Sequence, residues 1–334
     1  MKFAKFNSIE NTYRTKFVEQ VRHFLGAEKL FVVQEKIHGA NFSFWCNKDG
    51  IFTASRNKFL EPGANFFNWE QVLEKYRLNI QNLYDMLNKP TEVILYGEIY
   101  GGNYPHDNVK AVDGAQQVQS GIYYCPHNDF HGFDIKVDGV YLPVDEVNRL
   151  CETCGIPYAR TLYEGTLEAC LQYPNHFITT LPSMHNCPPI KGNICEGVII
   201  RPKRSVFLPI GSRVILKNKN KQFVERSHTK RQILDKKNIK NNTIPNKVYD
   251  AIIEYATENR LRNVLSKIGG VTHRDFGRIL RDMKQDVQED FDKDHISKWE
   301  PLNVSETKYV HKRLNTYIAT MIKENLEEIV AGTF

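Results

Sequence analysis

The chain has 334 residues, which is long for one typical domain and enough for two with buried cores. Apolar residues make up 41% and charged residues 25%, so the composition predicts a globular protein. It shows neither a signal-peptide pattern nor an apolar run of membrane-spanning length, and no membrane partner is expected. The seven cysteines are odd in number and scattered, which favours reduced thiols over a disulfide framework. We therefore expect an intracellular, cytoplasmic protein.

The net charge of +6 is unevenly distributed along the chain. Residues 201–240 contain 13 Lys or Arg against two acids, a local balance of +11, so the remaining residues sum to −5. A basic region of this kind attracts nucleic acid or nucleotide phosphates. A solvated, lysine-rich surface is the alternative interpretation.

Short strands joined by tight turns are predicted for the first two thirds of the sequence, with few helices. Strand-like runs lie on either side of His38-Gly39, and Asp138-Gly139 is a further hairpin signal. The segment VDEVNRLCETCG predicts a helix that ends at Gly155, where a left-handed cap suits glycine. The predicted strands are FVVQEK, ANFSFW, IFTASR, VILYGEIYGG, GFDIKV, VYLP, EGVIIRP and SRVILKNK.

The pattern becomes helical after residues 236–247, which are predicted to form a linker. Apolar residues recur at helical spacing beyond it, for example in residues 261–268. Thr272 is predicted to cap a second helix, and Ser305 a third that runs to about Val330. A small all-helical second domain is therefore expected.

The segment from Glu35 to Phe42, EKIHGANF, carries the most chemical information. A lysine at the end of a strand, followed by a turn with glycine, can hold its amine at the mouth of a pocket. Lys36 is therefore a candidate nucleophile. A free lysine amine is mostly protonated at neutral pH, and neighbouring cations or a bound metal lower the pKa of such an amine. An exposed lysine beside a turn is the ordinary alternative for this short pattern.

Five further elements follow this lysine in order. The series is KIHGANF from Lys36, Ser55-Arg56, Tyr96-Gly97-Glu98, Phe133-Asp134-Ile135, EGVIIRP from Glu196, and LKNK from Leu216. In order and approximate spacing the series resembles the covalent nucleotidyltransferase superfamily of ligases and capping enzymes. Within it, the chain is most similar to the RNA ligase 2 family of phage double-stranded RNA ligases and trypanosome RNA-editing ligases. Residues 102–128 look like an insertion in that pattern.

The resemblance implies an α+β fold. Residues 1–240 are expected to form an ATP-grasp-like nucleotidyltransferase domain of antiparallel sheets with flanking helices. Residues 241–334 are expected to form the small all-α C-terminal domain of the RNA ligase 2 family.

The resemblance also implies an ATP-dependent RNA ligase that uses Mg²⁺, with Mn²⁺ as a substitute. Lys36 would take AMP from ATP, pass it to an RNA 5′-phosphate, and allow a 3′-hydroxyl to displace it. Lys217 and Lys219, two residues apart on a strand, would project from one face and assist. The implied nucleotide-binding residues are Glu35, Ile37, His38, Asn41, Arg56, Glu98, Phe133, Glu196, Lys217 and Lys219, with Phe133 stacking on adenine. Glu196, together with Glu98, would bind the metal.

The expected partner is RNA, as a nicked duplex, and the expected state is a monomer. His38, two residues after the lysine, is typical of the RNA ligase 2 group, whereas DNA ligases and capping enzymes usually have aspartate there. The polar residues assigned to RNA binding or sealing are Asp134, Arg260, Lys267, Asp286 and Glu289.

The sequence leaves alternatives open. The chain could be a DNA ligase or a capping-type nucleotidyltransferase of the same superfamily, or a non-catalytic RNA-binding module. Cys151-x-x-Cys154, with Cys187 and Cys195, leaves a structural zinc site open, although a strong zinc pattern would show a second close pair.

Overall fold

The structure, a computed structural model, describes residues 1–27, 29–226 and 243–334. Two compact units divide between Gln222 and Phe223. The predicted domain boundary at 240/241 lies outside the described residues. In the described ranges, no helix combines the length and the apolar character needed to cross a membrane.

The first unit, Met1–Gln222, is built from two five-stranded sheets in its described part. Its strands are β1 Glu10–Asn11, β2 Phe31–Glu35, β3 Ala40–Asn47, β4 Gly50–Ser55, β5 Val93–Gly101, β6 Asn128–Val137, β7 Val140–Tyr141, β8 Thr161–Gly165, β9 Gly197–Pro202 and β10 Leu216–Lys219. Its helices are α1 Thr15–Leu25, α2 Trp69–Met86, α3 Val144–Thr153, α4 Leu167–Leu171 and α5 Leu181–Met184.

The first sheet has the strand order β1-β10-β9-β2-β8, and the second has β4-β3-β5-β6-β7. Apart from β1, which runs parallel to β10, neighbouring strands are antiparallel. This confirms the prediction of an α+β fold with antiparallel sheets and flanking helices.

Alternation along β3 explains how the second sheet is buried on both faces. Phe42 and Phe44 point to one side and pack in a cluster that includes α2 and α3. Trp45 points to the other side and packs with Tyr96, Phe6 and Ile215. Because Ile215 directly precedes β10 of the first sheet, this second cluster lies between the sheets.

The second unit, Phe223–Phe334, is helical in its described residues and has its own apolar core. Its helices are α6 Ile244–Ile253, α7 Glu258–Ile268, α8 Phe276–His295, α9 Val304–Glu324 and α10 Leu326–Ala331, with short 3₁₀ turns at His273–Asp275 and Ile296–Trp299. A further 3₁₀ turn, Lys221–Phe223, spans the boundary at residues 222 and 223. The predicted all-helical character is confirmed. Thr272 forms a capping box, with its side chain accepting from Arg274 N, but it caps the 3₁₀ turn His273–Asp275 that leads into α8, and the N-cap of α8 itself is Asp275.

Several element predictions were wrong in detail. Helix α2 was not predicted, although apolar residues recur along it at helical spacing. The cap of α9 is Asn303 and not Ser305, because Asn303 and Glu306 form a reciprocal capping box. In the predicted strand SRVILKNK only Leu216–Lys219 is regular. Of the predicted linker, residues 236–242 lie outside the described ranges, and residues 244–247 already belong to α6.

Candidate active site

Three strand ends meet at one edge of the first sheet. Strand β9 is antiparallel to both β2 and β10, so its start lies beside the ends of its two neighbours. Lys36 directly follows β2, Glu196 directly precedes β9, and Lys219 ends β10. The backbone N–H of Lys36 donates to the carbonyl oxygen of Gly197 at 3.0 Å. Sheet topology therefore gathers side chains that lie far apart in sequence.

The carboxylate of Glu196 is shared by two ammonium groups. Its Oε2 lies 2.7 Å from Lys36 Nζ, and its Oε1 lies 2.7 Å from Lys219 Nζ. His38 Nδ1 is 3.3 Å from Oε2. Glu196 is only 1% exposed. Burial alone would raise the pKa of Glu196, but Lys219, Lys36 and His38 outweigh it and hold that pKa well below its usual value. The described residues thus form a buried, charged centre.

The second sheet contributes a further acid and a further cation. Glu98 on β5 is paired in register with Asn41 on β3, so both side chains lie on the same face. Burial raises the pKa of Glu98 to about 7, Lys36 opposes this rise, and the negative charge of Glu196 adds to it. Arg56 is also close enough to lower the pKa of Glu98, and its guanidinium donates to Phe6 O at 2.7 Å.

Two glycines explain why the backbone can pass so close to this centre. A Cβ at Gly39 would lie 2.4 Å from the carbonyl oxygen of Ile99, so only glycine lets the turn after Lys36 lie against β5. Gly197 has φ +145°, and a Cβ there would lie 2.2 Å from Asn218 O. The close packing of the strand ends around Glu196 therefore requires glycine at both positions.

Lys217 lies on the same face of β10 as Lys219. Lys217 pairs with Ile199 and Lys219 with Gly197, two positions apart in a regular antiparallel register. The predicted common face of the two lysines is confirmed.

The residues on either side of Lys36 are buried and fixed by interior contacts. The Glu35 carboxylate accepts from the Thr180 N–H at 3.0 Å and from the hydroxyls of Thr179 and Thr180. Ile37 is 5% exposed. The His38 N–H donates to the Tyr124 hydroxyl at 2.9 Å. Glu35 and Ile37 were predicted to bind nucleotide, and the structure shows their side chains packed inside the protein.

Sequence reasoning missed Tyr124, Thr179 and Thr180. These residues have no motif of their own, and Tyr124 lies in the segment that looked like an insertion. Their contacts with residues 35–38 span 86 to 145 positions, so no local pattern indicates them.

Phe133 and Asp134 lie between the two sheets. Phe133 is partly buried against Phe6, with ring centroids 5.1 Å apart. The Asp134 carboxylate is fully buried and pairs with Arg201 NH2 at 3.0 Å and Arg213 NH1 at 2.6 Å. Asp134 was assigned to RNA binding, but it lies in the interior. Its carboxylate there joins β6 to Arg201 on β9 and to Arg213.

This interior pairing also changes the interpretation of the basic region. Arg201, Arg213 and Lys219 are buried, with 3%, 1% and 6% of their side chains exposed. Part of the predicted basic surface is therefore inside the first unit. Residues 227–240, which contribute five of the 13 basic residues, lie outside the described ranges.

The predicted sealing residues of the second unit form one network on α7 and α8, except for Glu289. Arg260 is 1% exposed and donates to Asp286 Oδ2 at 2.6 Å and Asp290 Oδ2 at 2.8 Å. Lys267 pairs with the other oxygen of Asp286. Glu289 is exposed and accepts from Gln285 at 2.8 Å. Arg260 thus ties helices together, whereas Lys267 and Glu289 reach the surface.

Family models match both parts of the chain. The model described as RNA ligase matches residues 29–219, and the one described as T4 RNA ligase 2 C-terminal matches residues 239–320. The chain belongs to the RNA ligase family. The resemblance inferred from the six sequence elements is thereby confirmed over both parts of this RNA ligase family member.

Among curated relatives, mitochondrial RNA-editing ligase 2 of Trypanosoma brucei brucei is 25% identical over 95% of this chain and 88% of the relative. Mitochondrial RNA-editing ligase 1 of the same organism is 28% identical over 73% of this chain and 65% of the relative. A solved structure, a mutant of Naegleria gruberi RNA ligase with ATP and Mn, is 16% identical, with a TM-score of 0.45. That match covers 66% of this RNA ligase family member and 57% of the solved chain. The chain thus spans less than two thirds of RNA-editing ligase 1 and of the Naegleria gruberi chain.

Proposed function

We propose that this RNA ligase family member is an ATP-dependent enzyme that joins an RNA 3′-hydroxyl to a 5′-phosphate through a lysyl-AMP intermediate. The observation that carries the proposal is the shared carboxylate of Glu196, with the amines of Lys36 and Lys219 at 2.7 Å on its two oxygens. A nucleophilic amine, a second cation and a buried acid therefore lie together where β2 and β10 end and β9 begins.

The first step is an in-line displacement at phosphorus. The Lys36 ammonium leaves Glu196 and gives a proton to water, and the neutral amine attacks the α-phosphorus of ATP, losing a second proton to water as the N–P bond forms. The bond between the α-phosphorus and the bridging oxygen breaks, and pyrophosphate leaves. Negative charge on the non-bridging oxygens is stabilised by Lys219 and Lys217, which project from the same strand face.

The donor set also fits a divalent metal. Glu196 and Glu98 offer hard carboxylate oxygens, close enough for each charge to affect the other, and Mg²⁺ or Mn²⁺ prefers such ligands. Bound there, the ion would supply charge neutralisation for the phosphates. In the structure, the Glu196 carboxylate binds two cations, the amines of Lys36 and Lys219.

The later steps move AMP to RNA. An RNA 5′-phosphate oxygen attacks the phosphorus of lysyl-AMP and breaks the N–P bond, which regenerates the Lys36 amine. A 3′-hydroxyl then attacks the activated 5′-phosphate, gives its proton to water and expels AMP. We infer nicked duplex RNA as the substrate, because the chain matches the T4 RNA ligase 2 C-terminal model as well as the RNA ligase model.

A labelling experiment tests the first step. Purified protein is incubated with Mg²⁺ and α-labelled ATP or GTP, and covalent label is measured after denaturation. We expect label from ATP and not from GTP, lost in Lys36→Ala and retained in Lys191→Ala, a control at an exposed lysine. Label from GTP would instead support a capping-type enzyme, and no label from either would support a binding module.

A sealing experiment tests the substrate. A 3′-hydroxyl/5′-phosphate nick in duplex RNA should be sealed faster than single-stranded ends of the same sequence, and faster than the same nick in DNA. Sealing of single strands alone would refute the duplex preference while leaving the ligase chemistry intact.

A further inference from the structure

A cluster of potential metal ligands lies apart from the Lys36 site. Among the described residues, Cys125, His127 and His185 form the group of His, Cys and acidic side chains whose ligand atoms all lie within 4.8 Å of one another. Cys125 is fully buried, and the two histidines are partly buried. Cys187 follows His185 by two residues, with its Sγ 3.7 Å from the His185 carbonyl oxygen. The spacing is Cys-x-His in one segment and His-x-Cys in the other.

The two segments have little secondary structure to hold them. Residues 102–127, between β5 and β6, and residues 185–196, between α5 and β9, are all described and contain neither helix nor strand. They are linked by a reciprocal pair, in which Asn193 accepts from the Tyr123 N–H at 2.9 Å and donates to the Tyr123 carbonyl oxygen at 2.6 Å. Such irregular segments are the usual place for a stabilising metal.

We propose that Cys125, His127, His185 and Cys187 bind a structural Zn²⁺. Two thiolates and two imidazoles are a standard tetrahedral zinc set, which leaves no open position for catalysis. Zinc bonds of about 2.0–2.3 Å place neighbouring ligand atoms about 3–4 Å apart in a tetrahedron. The ligand atoms of Cys125, His127 and His185 already lie within 4.8 Å of one another, whereas Cys187 Sγ lies outside that group and must turn toward it to complete the set. Thiolate with imidazole excludes Mg²⁺ and Ca²⁺, which prefer oxygen.

The surroundings of the histidines suit metal ligation. His127 Nε2 lies 3.4 Å from the Asp129 carboxylate, which is itself fixed by the Tyr76 hydroxyl at 2.6 Å. His185 Nε2 lies 2.8 Å from the Tyr100 hydroxyl. Ligating histidines commonly hydrogen-bond a carboxylate or another oxygen through the nitrogen that does not bind metal. Asp129 and Tyr100 can fix the ring orientations in this way.

The Cys151-x-x-Cys154 pair lies elsewhere in the first unit. Cys151 and Cys154 are in the apolar cluster of α3, and Cys154 Sγ contacts Met86 Sδ at 3.6 Å. Neither belongs to a metal-ligand group among the described residues. The pair therefore provides matched cysteine controls.

The Zn²⁺ would be independent of nucleotide chemistry but would support it. Tyr124, whose hydroxyl accepts from the His38 N–H, is bonded directly to Cys125 in sequence. Fixing Cys125 therefore fixes the residue that supports the turn after Lys36. Loss of the metal should loosen this turn without removing any group of the Glu196 centre.

Metal analysis of the full-length protein tests this proposal. Protein purified from zinc-containing medium, under reducing conditions and without chelators, should contain about one zinc per chain. Cys125→Ser and His185→Gln should lose that zinc. Cys154→Ser and His176→Gln, which change a cysteine and a histidine outside the cluster, should retain it.

A second measurement keeps the test decisive if the ligand variants fold poorly. Wild-type protein stripped of zinc and loaded with Co²⁺ should show the visible absorption of tetrahedral, thiolate-ligated cobalt, and added Zn²⁺ should abolish it. Wild-type protein that holds no zinc and shows no such absorption would overturn the proposal. Equal zinc content in wild type and in both ligand variants would overturn it as well.

Discussion

Glu196 determines the state of both lysines at the candidate site, because each of its oxygens pairs with one of their amines. A carboxylate this deeply buried is costly unless it is paired, so the two cations and the acid depend on one another. The same geometry leaves Lys36 ion-paired in the structure, and the amine must leave Glu196 before it can act.

Glu196→Gln should strongly impair AMP capture. The amide keeps the size of the side chain but leaves Lys36 and Lys219 without their shared counter-charge and removes an oxygen donor for the metal. Losses from such electrostatic changes are about 10²–10³-fold in rate, and we expect a loss of that order in covalent labelling. Glu168→Gln, at an exposed ion pair with Arg22, is the control. An undiminished labelling rate in Glu196→Gln would contradict this role.

Tyr124→Phe should slow AMP capture without unfolding the protein. The change removes only the hydroxyl that accepts from the buried His38 N–H. An unsatisfied buried donor costs about 1–3 kcal/mol, and every 1.4 kcal/mol carried into the transition state slows a reaction about tenfold. Single-turnover labelling measures the effect, with circular dichroism as the check on folding. Tyr123→Phe, at the neighbouring tyrosine, should label normally.

Among the elements, the strands were predicted better than the helices. Glycine-containing turns at residues 38–39 and 138–139 separate strands in the sequence, and the structure has strands on both sides of each turn. Helix α2 has a start signal in the sequence, since Asn68 is followed three residues later by Gln71, but Asn68 is left-handed in the structure and makes no side-chain cap bond. Its apolar periodicity was also visible. For α9, the glutamate three residues after Asn303 was the available signal.

The candidate site was predictable to the extent that its residues belong to local motifs. Lys36, Glu98, Glu196 and Lys219 were all named from short patterns, and the structure gathers them at one centre. The interior role of Asp134 was not predictable, because its partner Arg213 is 79 residues away and has no fixed spacing from it. Contacts of this kind are set by sheet register and not by local sequence.

Asp134→Asn should destabilise the first unit. The carboxylate joins β6 to two buried guanidinium groups, and its neutralisation leaves both of them uncompensated in the interior. Breaking a buried ion pair from one side costs about 3–5 kcal/mol. Urea unfolding of the full-length protein measures the change, and Asp113→Asn at an exposed aspartate should have little effect. Equal midpoints for the two variants would contradict a structural role for Asp134.

At the scale of the whole molecule, the chain consists of two units with separate apolar cores. The residues of the Glu196 centre all lie in the first unit. The Arg260 network, which includes Lys267, lies in the second unit, and so does the exposed Glu289.

A fragment of residues 1–222 should therefore fold and capture AMP but fail to seal nicked RNA. Labelling and sealing are measured on the same preparation, with the full-length protein as the reference and Lys36→Ala in the fragment as the negative control. Sealing by the fragment at the rate of the full chain would show that the second unit is dispensable. A folded fragment that captured no label would place an essential part of the nucleotide site beyond residue 222.

Identification of the labelled residue tests whether Lys36 is the nucleophile. Protein incubated with ATP and Mg²⁺ is digested, and the peptide that carries AMP is sequenced by mass spectrometry under conditions that preserve the acid-labile N–P bond. We predict a single AMP adduct on Lys36 of wild-type protein, absent from Lys36→Ala and strongly reduced in Glu196→Gln. An adduct on another residue, or equal labelling of wild type and Lys36→Ala, would show that Lys36 is not the nucleophile.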